Sequence, residues 1–324
     1  MVPNYPKRIP LAYLPTPIER MPRLSSLLKG SDLYIKRDDL TGLGGGGNKA
    51  RKLEFLIAEA QAQGCDHIIT VGGLQSNHCR QTAAAAARVG MGCSLVLRGN
   101  KPDLLTGNMF LNKLFGAHIT WTEDENPAEV MNRVAAQQIK IGHTPYLIPL
   151  GGSNVVGTTA YVVAMEELAA QLKEQKLNID VIVFASGSGG TQAGIVLGAH
   201  LFNIRAQLYG ISVSRSAAEL QAQVGALSTA TAAHLGLDMV NLMDRIEVND
   251  EYAEPGYGVL TAAEKEAIEL VAEKEGILLD PVYTGRAMAG LIDLIRWGAF
   301  TRNQTILFWH TGGAQALHAY ADKF

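Results

Sequence analysis

A lysine stands where a run of glycines gives way to a helical pattern: Gly42-Leu43-Gly44-Gly45-Gly46-Gly47-Asn48-Lys49, then Leu53, Leu56, Ile57 and Ala60 on one face. Five of the six residues between Thr41 and Asn48 are glycine, so this backbone can take positive φ or approach a ligand closely. An amine at the positive end of a helix, with Arg51 and Lys52 beside it, is expected to release its proton more readily than a solvated lysine. Such an amine suits Schiff-base chemistry. The plainer alternative is a surface lysine after a flexible loop.

Other groups add to this one. Ser186-Gly187-Ser188-Gly189-Gly190-Thr191 follows an apolar strand pattern and opens a helix, which makes an anion cradle sized for a phosphate. It is not a P-loop, since Ile195 follows the Gly189-to-Gly194 spacing, and Gln192 breaks the dinucleotide pattern that starts at Gly187. A tight turn with capping serines would look the same. Gln75-Ser76-Asn77-His78 sits at another helix start, where Ser76 either caps the helix or joins the first N–H groups in holding a carboxylate, with Asn77 flat against a ring oxygen. Two turn-rich segments, Glu254-Pro255-Gly256-Tyr257-Gly258 and Asp280-Pro281-Val282-Tyr283-Thr284-Gly285, each deliver one tyrosine. His310-Thr311-Gly312-Gly313 ends a strand, where ligands of open α/β sheets collect. A Schiff-base lysine, a phosphate loop, a carboxylate-binding turn and ring-facing polar groups are together what pyridoxal 5′-phosphate requires.

These groups need elements to position them. Strand patterns at 32–36, 67–71, 93–97, 118–121, 146–149, 180–185, 207–213, 245–248 and 304–309 alternate with helical patterns at 49–60, 76–89, 105–115, 127–141, 154–167, 216–235, 261–275, 285–297 and 313–322. Another helix follows the 186–191 loop. Strands alternating with helices of ten or more residues predict an α/β protein with mainly parallel sheet. No repeat or low-complexity linker separates the chain, so two domains would have to be interleaved.

Composition narrows the class. At 324 residues, with 47% hydrophobic and 18% charged, the chain can bury a large core. A net charge of −3 without a basic run argues against nucleic acid as partner. No apolar run reaches the roughly 18 residues of a membrane span, and residues 1–10 do not read as a signal peptide. Cys65, Cys79 and Cys93 lack metal-site or disulfide spacing, so no metal and reduced thiols in a cytoplasmic protein are the expectation.

The order of motifs, from Ile35-Lys36-Arg37-Asp38-Asp39 through Gly46-Gly47-Asn48-Lys49-Ala50-Arg51-Lys52-Leu53-Glu54, Gln75-Ser76-Asn77-His78 and Asp280-Pro281-Val282-Tyr283-Thr284-Gly285 to His310-Thr311-Gly312-Gly313, resembles the aminocyclopropane-carboxylate deaminase/D-cysteine desulfhydrase family almost end to end. These are pyridoxal-phosphate enzymes of the tryptophan-synthase-β fold. The resemblance implies two interleaved, open, mainly parallel twisted-sheet domains, a larger cofactor-binding one from 1–49 and 161–324 and a smaller one from 50–160, and a homodimer. It implies that Lys49 holds the cofactor and that Ser186, Gly187, Ser188, Gly189, Gly190 and Thr191 hold its phosphate. Asn77 would meet the ring hydroxyl and Thr311 the pyridine nitrogen. Ser76, Asn77 and His78 would line the substrate carboxylate side, with Tyr257, Tyr283 and Thr284 on the substrate. Lys49, Ser76, Tyr257 and Tyr283 would be catalytic.

Thr284 stands where the deaminase subgroup carries a glutamate, which disfavours ring opening of aminocyclopropane carboxylate. Ser212-Val213-Ser214-Arg215-Ser216 and Glu254-Pro255-Gly256-Tyr257-Gly258 are similar to the D-cysteine desulfhydrases, whereas Gly152-Ser153-Asn154 and Gly190-Thr191-Gln192-Ala193-Gly194 are as similar to L-cysteate sulfo-lyases. The expected reaction is therefore elimination on a small cysteine-like amino acid, D-cysteine to sulfide, pyruvate and ammonia, with L-cysteate to sulfite as alternative. A racemase and a non-catalytic cofactor carrier stand behind these. Whether Arg80, Arg215, His78 or His310 points inward is left open. The extra glycines at 44–47 depart from both branches and are expected to widen or loosen the site mouth.

Overall fold

The apolar run Val181–Ser186 (β7) has every residue buried because it lies inside a six-stranded sheet. The computed structural model describes residues 3–238 and 241–324. Strands Ile18–Arg20 (β1), Asp32–Arg37 (β2), Gln207–Ser212 (β8), Glu247–Asn249 (β9) and Thr305–His310 (β10) complete this sheet in the order β1-β2-β10-β7-β8-β9. Only the β1–β2 pair is antiparallel. A second, all-parallel sheet runs β5-β4-β3-β6, from His118–Trp121 (β5), Gly92–Leu97 (β4), His67–Gly72 (β3) and Pro145–Ile148 (β6).

Parallel strands buried on both faces need helices on both faces. On one side of the large sheet Pro22–Leu28 (α1), Ala262–Glu275 (α9) and Thr284–Arg296 (α10) pack through Leu24, Val271 and Leu291. On the other, Val155–Gln175 (α6), Gly190–Leu201 (α7) and Ala217–His234 (α8) contribute Met165, Val196 and Val224. The small sheet is covered on one face by Lys49–Ala62 (α2), Asn77–Val89 (α3) and Gly107–Leu114 (α4), and on the other by Pro127–Lys140 (α5). Helix α6 serves both cores. Its first turns place Val156 and Ala160 against the small sheet, and Tyr161, Met165 and Leu168 pack with the large one.

The expected alternation of elements is present, with two differences. β1 is an edge strand in a proline-punctuated stretch with no clear pattern of its own. The expected helix at 313–322 is instead two 3-10 turns, Ala314–Ala319 and Ala321–Lys323. Gly312 and Gly313 both leave β10 at positive φ, and tertiary bonds fix the last turns of the chain: Gln315 donates to the Gly45 carbonyl at 2.6 Å and Tyr320 to the Gly258 carbonyl at 2.9 Å. Such anchoring overrides local helix preference.

A buried polar cluster joins β2, α2 and α6. Arg51 donates to both oxygens of Asp38, at 2.9 and 3.0 Å, and to both of Glu167 at 2.9 Å. Lys36 reaches Glu167 at 2.5 Å, and Tyr161 donates to Asp38 at 2.6 Å. The first turn of α2, which carries Lys49, is thereby fixed to the large sheet.

Candidate active site

A cavity of about 810 Å³ opens at the C-terminal ends of β7, β8 and β10 and of β3 in the small sheet. This is where open α/β sheets collect ligands. Lys49 lines it, with Nζ 3.2 Å from Asn48 Oδ1. Burial lowers the lysine to about 8, with the Asp280 carboxylate pulling the other way. The expected depression is there, but its cause differs. Arg51 turns away into its carboxylate cluster, and it is loss of water that disfavours the ammonium.

Beside Lys49 lies a cradle. Ser186, Gly187, Ser188, Gly189 and Thr191 line the cavity, and Gly190 sits under them with its N–H on Ser153 Oγ at 3.3 Å. Ser186 Oγ is buried with no hydrogen-bond partner among the described residues. A Cβ on Gly190 would come within 2.5 Å of Ser153 Oγ and 2.8 Å of Lys52 Nζ, so this glycine keeps the loop open. Ser153 also bonds Ser188 Oγ at 2.8 Å, and Lys52 Nζ donates to Gly151 O at 3.2 Å and Ser153 Oγ at 3.3 Å. Lys52 is fully buried without a carboxylate, and burial followed by repulsion from Lys49 drives its pKa well below the lysine range. An orphaned hydroxyl and a buried lysine with no ion pair among the described residues fit a phosphate. Lys52 and Ser153 are the residues that sequence reasoning did not assign. Their signal was the spacing of Lys52 one turn from Lys49.

Ser76 caps its helix, α3, its hydroxyl accepting from Cys79 N at 3.1 Å, and also faces the cavity. Asn77 lines the cavity with its amide fixed from behind: Nδ2 donates to Asp280 at 3.4 Å, and Oδ1 accepts from Asn108 at 2.8 Å. His78 lines it too, Nε2 lying 2.9 Å from Thr70 Oγ1. Burial, then Lys49 and Lys52, push its pKa far down, so the imidazole is neutral. Tyr257 and Tyr283 meet with hydroxyls 2.9 Å apart and rings edge-on at 76°. Burial raises both, Tyr283 to about 12, so the pair carries its protons at neutral pH. Thr311 lines the cavity, its carbonyl accepting from Asn48 N at 2.9 Å.

Thr284 is corrected. It is fully buried outside the cavity wall, its hydroxyl donating to Asp280 Oδ1 at 2.8 Å and accepting from Asp280 N at 2.7 Å. Asp280 needs that hydroxyl, because its buried carboxylate also takes the N–H groups of Val282, Tyr283 and Thr284 to cap α10. The glycine run also behaves otherwise than expected. Residues 42–47 do not line the cavity, and the carbonyls of Gly45 and Gly46 are held by Gln315 and Arg80, both at 2.6 Å. A Cβ on Gly46 would collide with the Asp39 carbonyl oxygen, so the loop is packed, not loose. Of the basic candidates, Arg215 and His78 line the cavity, whereas Arg80 and His310 are buried elsewhere. Arg98 and Lys323, unremarked in the sequence, line it as well.

Comparison with known proteins agrees with this geometry. Residues 9–312 match the family model described as pyridoxal-phosphate dependent enzyme. The D-cysteine desulfhydrase of Klebsiella pneumoniae (strain 342) is 46% identical over 319 residues, 97% of this chain and 96% of that protein. That of Salmonella newport (strain SL254) is 45% identical over the same shares. A solved ACC deaminase homologue superposes with a TM-score of 0.89 at 40% identity, covering 98% of this chain and 95% of that one.

Proposed function

Because the chain belongs to the pyridoxal-phosphate dependent enzyme family, with that cofactor and the tryptophan-synthase-β type of fold, we propose that its cavity carries out α,β-elimination on D-cysteine, releasing sulfide, pyruvate and ammonia. The observation that carries this is the meeting, in one cavity, of a lysine lowered to about 8, an anion cradle and a paired set of tyrosines. The 46% identity with a D-cysteine desulfhydrase supports the choice of substrate.

In this reading Lys49 binds the cofactor, and loop 186–191, with Lys52 and Ser153, takes the phosphate. Asn77, held by Asp280 and Asn108, faces the ring hydroxyl. When bound, the cofactor would supply an electron sink for the electron pair left on Cα by loss of its proton. The Lys49 amine would be the base that receives that proton, and a pKa near 8 suits the task. The Ser76 hydroxyl and the first N–H groups of α3 bind the substrate carboxylate. Tyr257 and Tyr283, both protonated, would flank the departing sulfur. Among the described residues no carboxylate lines the cavity, so Thr311 would offer the ring nitrogen only a hydroxyl, which suits elimination better than cyclopropane opening. Residues 1–49 and 161–324 would form the cofactor-binding domain and 50–160 the smaller one, in a cytoplasmic homodimer. No helix among the described residues is long and apolar enough to cross a membrane.

The test is direct. Holoenzyme given D-cysteine should release sulfide and pyruvate in equal amounts, and Lys49→Ala should lose both along with the visible absorbance of bound cofactor while remaining folded. Turnover that survives in Lys49→Ala, or no pyruvate from the wild type, overturns the proposal.

A further inference from the structure

Three arginines among the described residues are buried, and two of them meet carboxylates: Arg51 meets Asp38 and Glu167, and Arg286 meets Glu264. The third, Arg80 on α3, is wholly inaccessible and forms no ion pair among the described residues. Its guanidinium donates to neutral oxygens alone, the Gly46 carbonyl at 2.6 Å, Asn108 Oδ1 at 3.3 Å and Gln315 Oε1, and its Nε has no partner among the described residues. Burial lowers its pKa to about 10 and the Asp280 carboxylate pulls the other way, so Arg80 is charged at neutral pH. Holding a charge in the interior without a counter-ion is unfavourable, and neither the phosphate cradle nor Lys49 uses this one.

The charge of Arg80 feeds a line of amides. Asn108, buried in the first turn of α4, takes the guanidinium on Oδ1 and donates from Nδ2 to Asn77 Oδ1 at 2.8 Å. Asn77 Nδ2 then donates to Asp280 Oδ2 at 3.4 Å. A guanidinium can only donate and a carboxylate only accept, so the charges at the two ends turn both amides the same way, and bonds set head to tail polarise one another. Asn77 Nδ2 carries two hydrogens, of which Asp280 takes one and the other is left for the cavity that Asn77 lines. Gly313 leaves room for this amide, since a Cβ there would collide with Asn77 Nδ2. The titratable side chains nearby are engaged elsewhere: Lys49 Nζ on Asn48, His78 Nε2 on Thr70 and the Tyr283 hydroxyl on Tyr257. We propose that Arg80 and Asn108, neither of which lines the cavity, are positioning residues that hold Asn77 as a donor to the cofactor's ring oxygen and keep that oxygen anionic. This rests on the reading that Asn77 faces the ring hydroxyl. A donated hydrogen bond favours the anionic form of the oxygen that accepts it, and a donor polarised from a buried guanidinium favours it more.

The experiment reads the absorbance of bound cofactor in the holoenzyme at neutral pH, where the visible band reports an anionic ring oxygen and the near-ultraviolet band a protonated one. The visible-to-near-ultraviolet ratio should fall about three- to tenfold in Arg80→Met and in Asn108→Leu, and at least as far in Asn77→Ala, as for weakening or loss of a hydrogen bond to a charged group. Arg80→Lys keeps the charge without the planar fork and should restore part of the ratio. A thermal melt of each holoenzyme separates this from lost packing. A wild-type ratio in both Arg80→Met and Asn108→Leu, with or without a lower Tm, would overturn the relay and leave Asn77 at the ring oxygen. A ratio changed in Arg80→Met but not in Asn108→Leu would overturn it as well, because the charge would then act through space. If Arg80→Met does not fold, Asn108→Leu decides alone. A wild-type ratio in Asn77→Ala would overturn the assignment of Asn77 to the ring oxygen, on which the relay depends.

Discussion

The chemistry depends on one proton at Lys49, and the residue that most opposes its loss is Asp280. Burial lowers the lysine to about 8, while the buried carboxylate raises it again. If Lys49 anchors the cofactor, it must do so as the neutral amine, so cofactor uptake by apoprotein should accelerate through pH about 8 instead of near the usual lysine value of about 10.4. Asp280→Asn keeps an acceptor for the N–H groups at the start of α10 but removes the negative charge, and its uptake midpoint should move below that of wild type. Stopped-flow absorbance against pH measures it, and a midpoint that stays put or rises would show that Asp280 does not control the amine. Lys49 was legible in the sequence because a glycine run abutting a helix is a local pattern. Its electrostatics were not, because Arg51, two residues on, points into a distant carboxylate cluster and Asp280 approaches from far along the chain. Thr284 was misplaced for the same reason: sequence adjacency to Tyr283 does not say which of the two faces the cavity.

Among the elements, α2 bears the cost of bringing Lys49 to the cavity, since its first turn carries Arg51 into a fully buried site. Burial raises the Asp38 carboxyl, but the charge and hydrogen bonds of Arg51, with Lys36, more than offset this and hold it below the ordinary aspartate range. Glu167 is lowered in the same way. Carboxylates depressed in the folded state contribute stability above their unfolded pKa values, near 4, and that stability is lost as pH falls through the folded values. Arg51→Met reverses the sign at Asp38, because burial then dominates and the folded state takes up the proton more readily than the unfolded one. The variant should be about 3–5 kcal/mol less stable at pH 7, and the deficit should shrink at pH 5. Urea midpoints at the two pH values decide this, and an equal deficit at both would remove the buried-charge account. The sequence showed Arg37-Asp38-Asp39 as part of a motif that follows a strand pattern, with no sign of what each side chain meets. Nothing local distinguishes Asp38, fully buried, from Asp39 at its side. The helices were more legible because their stop and start signals are local, as with Gly90 after α3 and the capping boxes at Ser216 and Thr261.

At the scale of the molecule the cavity exists only because distant segments meet. β2 pairs in parallel with β10, Asp32 opposite Thr305, and the last turns of the chain return to close the site beside the glycine loop and the 254–258 turn. Alternating strands and helices predicted parallel sheets, but pairings across most of the chain have no local signature, and a closing segment without regular helix has even less. Tyr320 joins these parts. Its ring lines the cavity and its hydroxyl donates to Gly258 O, next to Tyr257, whose own hydroxyl meets Tyr283. Tyr320→Phe retains the ring and loses one half-buried hydrogen bond, a change of about 1 kcal/mol in stability, equivalent to a shift of only a few degrees in Tm for a chain of this size. The effect on function should be larger than that shift suggests if Tyr257, next to Gly258, faces the substrate as proposed. KM for D-cysteine is expected to rise about three- to tenfold, equivalent to about 0.7–1.4 kcal/mol of binding, with kcat changed less. Steady-state kinetics beside a thermal melt separate the two effects: a fall in Tm with unchanged KM would make Tyr320 a packing residue alone, whereas raised KM with a preserved melt places the C-terminal turns in the substrate-binding wall.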